Sequence, residues 1–215
     1  LVKLPPGRRE YLLYLPLYNG IVSLELGIPA GATLQPAAAW PGKPMLFYGT
    51  SITQGGCAAR AGMAYPAILG RWLDRDIINL GFSGNGKMEL EVGRFIAELD
   101  PSVYVLDNLP NMEADGVTQM TEPLVQLLRA ARPDTPIVLV ENIAYQNALS
   151  DNPAPANADK NRELRAAFQR LQAAGIQHLH YVPADNLLGA DGEGTVDGCH
   201  PTDLGFLRIA EALAP

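Results

Sequence analysis

The chain has 215 residues, 47% of them hydrophobic and 18% charged, which fits one globular domain with a full core and excludes a disordered chain. Its net charge of −7, with no basic run, argues against nucleic acid as a partner. No apolar stretch approaches the ~20 residues that span a bilayer, and no charged-then-apolar leader opens the chain. It begins on Leu1, as a processed form or a fragment would. Two cysteines, Cys57 and Cys199, do not make a disulfide framework, so the compartment stays open.

In chain order, Tyr11–Leu17 and Ile21–Ile28 are β-prone runs around Asn19-Gly20, a signal for a tight hairpin turn. A lone hairpin is marginal in water, so this one needs a cover. The main domain, a β-domain ahead of it, or a partner subunit in a homo-oligomer could supply that cover. Residues 29–44, rich in Pro, Gly and Ala, read as a linker. The expected division is therefore residues 1–40 as hairpin and linker and 41–215 as the main domain.

From Met45 the pattern becomes strand-helix alternation. Strands are expected at Met45–Tyr48, Ile77–Leu80, Val103–Asp107, Ile137–Glu141 and Leu179–Val182. Helices are expected at Tyr65–Asp74, Glu89–Leu99, Thr121–Arg132 and Lys160–Ala174, with a last one starting at Pro201. Asn147–Asn157 reads as an exposed loop. Such alternation predicts an α/β fold, its central five-stranded parallel sheet covered on both faces. Ligands then bind beyond the C-terminal strand ends, at the junctions that follow the strands.

After the first strand comes Gly49-Thr-Ser-Ile-Thr-Gln-Gly-Gly56. A serine on the first turn beyond a buried strand can present its hydroxyl for attack and its N–H to an oxyanion. A simple capping or phosphate loop is the plainer alternative, although no Walker A ending follows. After the second strand, Gly81-Phe-Ser-Gly-Asn-Gly86 supplies glycine amides; Ser83 is a rival nucleophile that lacks the full Gly-x-Ser-x-Gly elbow. After the third strand, Asp107-Asn-Leu-Pro-Asn111 offers side-chain amides at the rim, or merely a turn.

Beyond the fifth strand, Asp197-Gly-Cys-His200 places a carboxylate three residues before a histidine. One ring nitrogen of His200 can bond Asp197 while the other faces Ser51, the geometry of a catalytic triad. The other histidines, His178 and His180, sit at i, i+2 on the expected fifth strand. That spacing could hold a metal but reads more simply as an ordinary strand pair. A Cys57–Cys199 disulfide would pin the His200 loop; two free thiols are the plainer reading.

These blocks, in this order, resemble the SGNH (GDSL-type) hydrolase superfamily. Gly49-Thr-Ser-Ile-Thr resembles its nucleophile block, with Thr50 where Asp is usual. Gly81-Phe-Ser-Gly84 resembles the second block and implies Gly84 N–H as an oxyanion donor. Leu109-Pro-Asn-Met112 resembles the third and implies the Asn111 amide, with Asn108 as fallback, while Asp197-x-x-His200 matches the last. A closer likeness, carried also by Gly62-Met-Ala-Tyr-Pro-Ala-Ile-Leu-Gly70, is to the subgroup with an N-terminal β-sandwich, of which the hairpin would be the tail.

The resemblance implies a flavodoxin-like three-layer α/β/α fold and ester hydrolysis, often deacetylation of carbohydrates. In that reading Ser51, Asp197 and His200 are catalytic, Ser51, Gly84 and Asn111 form the oxyanion hole, and no metal or organic cofactor is needed. A small-molecule or sugar ester with a short acyl group is the expected substrate. The competing readings are a thioesterase or lysophospholipase, an acyltransferase with the same residues, and a catalytically silent carbohydrate-binding module.

Overall fold

The computed structural model describes residues 5, 7–145 and 155–215. Five parallel strands make one sheet: β1 (Met45–Gly49), β2 (Ile77–Gly81), β3 (Val103–Asp107), β4 (Ile137–Val140) and β5 (Leu179–Val182). Their order is β2-β1-β3-β4-β5, the doubly wound order of flavodoxin-like folds. The register is in step across the centre, with Gly49 opposite both Gly81 and Asp107. Three strand ends therefore finish at one level, where the chain switches from building outward on one side of β1 to the other. That switch point is where such sheets bind ligands.

The alternation of β1 explains the layers. Met45 and Phe47 face one side, where they pack with Tyr65, Ile68, Leu69, Phe206 and Ile209. Leu46 and Tyr48 face the other, against Ile96, Val117, Leu124, Leu128, Leu164 and Leu171. Helices α2 (Tyr65–Leu73) and α6 (Asp203–Leu213) thus cover one face. Helices α3 (Leu90–Glu98), α4 (Ala114–Ala131) and α5 (Pro155–Ala173) cover the other. A strand buried on both faces has few polar positions, as the MLFYG run of β1 shows.

Some expected boundaries move. Helix α4 begins at Ala114, seven residues before the expected Thr121 and across Asp115-Gly116, which locally favours a turn. Val117, Thr121, Leu124, Val125 and Leu128 form one buried stripe, and burial of that stripe outweighs local propensity and the internal Pro123. Helix α6 starts at Asp203, not Pro201, because Thr202 is the cap: its Oγ1 accepts a hydrogen bond from Gly205 N at 3.1 Å. Most of the expected Asn147–Asn157 loop lies outside the described residues; Pro155 onward belongs to α5, and Asn157 is buried.

The N-terminal hairpin does not form. Among the described residues before Met45 there is neither strand nor helix. Instead the segment lies along the α/β core through separate polar contacts. Gln54 Nε2 donates to Leu17 O at 3.0 Å, Arg71 donates to the Tyr14 hydroxyl at 2.9 Å, and Tyr18 donates to Ser51 O at 3.4 Å. Two strands paired only with each other gain too little to order themselves, whereas an extended chain can use neighbouring side chains. Leu12, Leu13, Leu15, Val22, Leu24 and Leu26 remain exposed.

Candidate active site

The site grows from the end of β1. Thr50 Oγ1 accepts from Ile52 N at 3.3 Å and so caps the short helix α1 (Ser51–Gln54), which begins with Ser51 itself. The turn is tight because residue 49 is glycine: a Cβ there would stand 2.0 Å from Thr53 Oγ1 and 2.6 Å from Asp107 O. Ser51 is nearly buried, with its hydroxyl at the sheet rim.

The His200 loop arrives from the other end of the chain. It is closed by Val196 N to His200 O at 2.8 Å and by Thr202 N to Gly194 O at 3.0 Å, with Thr195 and Pro201 in an isolated bridge. Asp197 organises its interior. Its Oδ1 accepts from Cys199 N at 2.9 Å and His200 N at 2.6 Å, and its Oδ2 lies 2.7 Å from His200 Nδ1. With the proton on Nδ1, the free Nε2 accepts from the Ser51 hydroxyl at 3.0 Å. Ser51, His200 and Asp197 therefore form one continuous hydrogen-bonded relay. Partial burial disfavours the Asp197 charge, but hydrogen bonds from the His200 ring and the two backbone amides outweigh it and hold the carboxyl down at about 2.

The other anticipated residues fall beside the relay. Phe82 N donates to Gly49 O at 3.0 Å and Ser83 N to Gln54 Oε1 at 3.0 Å, pinning the turn after β2 onto the nucleophile turn. Gly84 sits in that turn at φ +71° and faces open space. The Asn111 amide donates to Phe82 O at 3.3 Å and also to Asn85 O, the carbonyls on either side of Gly84. The fallback Asn108 is fully buried, its amide donating to Gly86 O at 2.9 Å, so it braces the same turn from beneath. Ser83 is exposed and bonded only through its backbone N–H to Gln54, among the contacts described.

The Asp107–Tyr65 contact has no signal in the sequence. Beneath Ser51, the fully buried Asp107 accepts from Thr53 Oγ1 at 3.0 Å and Tyr65 Oη at 2.9 Å. Burial pushes its carboxyl up to about 7, against the lowering effect of those two hydroxyls. The strand-end Asp was visible, but its partner Tyr65, 42 positions away, was not. Cys57 stands beside Asp197 and His200, near the site as its place after the nucleophile block suggested. Both cysteines are free thiols. His178 and His180 are both exposed, and only His180 lies on β5.

A profile of the GDSL-like lipase/acylhydrolase family matches residues 42–215. A Bacteroides ovatus structure described as a GDSL-like lipase is 38% identical, with a TM-score of 0.87 over 92% of this chain and 59% of its own. A salicylyl-acyltransferase from a tetracycline biosynthetic pathway is 24% identical, with a TM-score of 0.72 over 85% of this chain and 56% of its own. A family two carbohydrate esterase from Clostridium thermocellum, solved with cellohexaose, is 17% identical, with a TM-score of 0.67 over 86% of this chain and 66% of its own. This chain thus spans less than three-fifths of the length of the first two structures. No curated protein matches it. By the extent of the profile match and the identity to the Bacteroides structure, the chain belongs to the GDSL-like lipase/acylhydrolase family.

Proposed function

We propose that the protein is a serine esterase that hydrolyses short-chain, acetyl-type esters, including those of carbohydrates, through an acyl-enzyme on Ser51. The observation that carries this reading is the relay itself, 3.0 Å from Ser51 Oγ to His200 Nε2 and 2.7 Å from Nδ1 to Asp197. His200 Nε2 takes the hydroxyl proton as Ser51 Oγ bonds to the carbonyl carbon. The tetrahedral intermediate then expels the alcohol, which leaves with that proton. Water repeats the sequence on the acyl-enzyme: His200 takes one water proton and passes it to Ser51 Oγ, and the product leaves as the carboxylic acid, which ionises in solvent. Asp197 holds the imidazole tautomer throughout.

The N–H groups of Ser51 and Gly84 and the Asn111 amide meet the developing oxyanion. For Asn111 this means exchanging its long 3.3 Å bond to Phe82 O for the stronger one to a charged oxygen. The short acyl group is favoured because the sequence carries no long apolar insertion that would make a lid or acyl tunnel. The segment ahead of the 41–215 domain lies along it through Tyr14, Leu17 and Tyr18, and its exposed Leu12, Leu13, Leu15, Val22, Leu24 and Leu26 side chains are the face that a neighbouring β-sandwich domain would cover.

The test is hydrolysis of p-nitrophenyl acetate, butyrate and longer esters, together with acetylated sugars, by the protein and by Ser51→Ala. Acetate should be preferred and the variant inactive. Undiminished turnover in Ser51→Ala would sink the assignment. Adding an alcohol acceptor separates hydrolysis from acyl transfer by its products.

A further inference from the structure

Cys57 takes no part in the relay yet lies against it. The backbone just before it packs on the imidazole: a Cβ at Gly56 would stand 3.3 Å from His200 Cδ2. Ligand-bearing atoms of Cys57, Asp197 and His200 all lie within 4.8 Å of one another, the one such group among the described residues. Cys57 and Asp197 are exposed, so an ion reaches them directly from solvent. A thiolate, an imidazole and a carboxylate are the donor types zinc takes, and three protein ligands leave its fourth position to water.

The separations are compatible with coordination. Zinc bonds of about 2.0–2.3 Å in a tetrahedron put neighbouring donors roughly 3.5 Å apart. Closing a 4.8 Å spacing to that value takes a shift on the order of 1 Å, within reach of the exposed Cys57 side chain turning about χ1. Ester hydrolysis by this relay has no use for the Cys57 thiol.

We propose that Cys57, Asp197 and His200 form a binding site for a soft divalent cation of the zinc class, whose occupancy switches the esterase off. The inference rests on the catalytic reading above and adds a regulatory ligand to the same site. Both ring nitrogens of His200 are committed in the relay, Nδ1 to Asp197 and Nε2 to Ser51. A cation on Nδ1 displaces the Asp197 bond, and one on Nε2 displaces the Ser51 bond. Either choice breaks the relay. Coordination releases the Cys57 thiol proton to solvent and involves no electron transfer.

Chelator-treated protein, freed of chelator, is titrated with Cd²⁺ and Zn²⁺ alongside Cys57→Ser and Cys199→Ser. The expected result is an ultraviolet thiolate-to-cadmium charge-transfer band saturating at one ion per chain, and zinc inhibition of p-nitrophenyl acetate hydrolysis that chelator reverses. Each variant is scored against its own metal-free rate. Cys57→Ser should lose the band and need at least about tenfold more zinc for half-inhibition, since one of three ligands is gone. Cys199→Ser should keep both. Absence of the band in the unmodified protein, or equal zinc sensitivity in Cys57→Ser, overturns the cation site. A protein that shows the band but cleaves no ester retains the site and loses the proposed activity; one that cleaves esters without the band does the reverse.

Discussion

Asp107 ends β3 directly beneath the nucleophile turn, its Oδ2 3.0 Å from the hydroxyl of Thr53, two residues after Ser51. Tyr65 closes the triangle from α2, 2.9 Å from Asp107 and 3.1 Å from Thr53. The carboxyl is fully buried with no cation beside it among the contacts described, which is why it is held protonated up to about 7. An acid raised in the folded state favours folding fully below its ordinary value near 4. That contribution is lost as pH rises through about 7. Thermal stability should therefore fall by a few kcal/mol between pH 4 and 7, and Asp107→Asn should flatten the decline. A Tm series over that range for both proteins checks this; parallel slopes would refute it.

Replacing Asp107 with Ala is a harsher test of the same triangle. It leaves the Thr53 and Tyr65 hydroxyls only each other to bond and opens a void, at a cost of roughly 2–4 kcal/mol. Urea denaturation at pH 6 measures the loss. Because Thr53 shares α1 with Ser51, kcat should drop more than KM rises.

Asp197→Asn should reduce kcat for p-nitrophenyl acetate by about 10²–10⁴ with little change in KM, since the amide no longer enforces the Nδ1–H tautomer. Asp197 itself stays ionised down to about 2, so it imposes no acid limit on activity above pH 3. Its depressed value favours folding above about 4 and ceases to do so as pH falls through about 2; half exposed as it is, the effect on Tm should be small. Steady-state kinetics and a Tm measured at pH 3 and 6 decide both points.

Asn111→Ala removes one oxyanion donor. Turnover should fall about 10²–10³-fold while KM holds. The same change frees the carbonyls of Phe82 and Asn85, so a modest loss of stability is expected too. A large rise in KM with kcat intact would instead mark Asn111 as a purely structural brace of the Gly84 turn.

Glu141, just past β4, offers a stability test remote from the relay. It is buried and accepts from Arg165 Nη2 at 2.7 Å, Ala184 N at 2.8 Å and the Tyr181 hydroxyl. Glu141→Ala leaves the Ala184 N–H without its acceptor, Tyr181 with only its 3.4 Å bond to Asn161 O and Arg165 to solvent, and should cost about 2 kcal/mol, a Tm drop on the order of 4–8 °C. Metal-free kcat at 25 °C should be unchanged, which kinetics on the folded variant will show.

The sequence alone determined those features set by short-range spacing and burial pattern. The five strands were legible because each is a compact apolar run, and β3 and β5 fall where that pattern puts them. Asp197 and His200 were legible as a pair because three residues of one loop suffice to close Nδ1 onto Oδ2. Only the tertiary structure decided the rest. Ser51 and His200, 149 positions apart, meet because β1 lies between β2 and β3 and carries the nucleophile to the switch point of the sheet. Asp107 and Tyr65 meet across two separate elements, and Cys57 reaches Asp197 and His200 from the other end of the chain. The N-terminal segment shows the converse: Asn19-Gly20 favours a hairpin locally, yet strands pair only where a surface buries one of their faces. Here Tyr14, Leu17 and Tyr18 spend their contacts on Arg71, Gln54 and Ser51 instead.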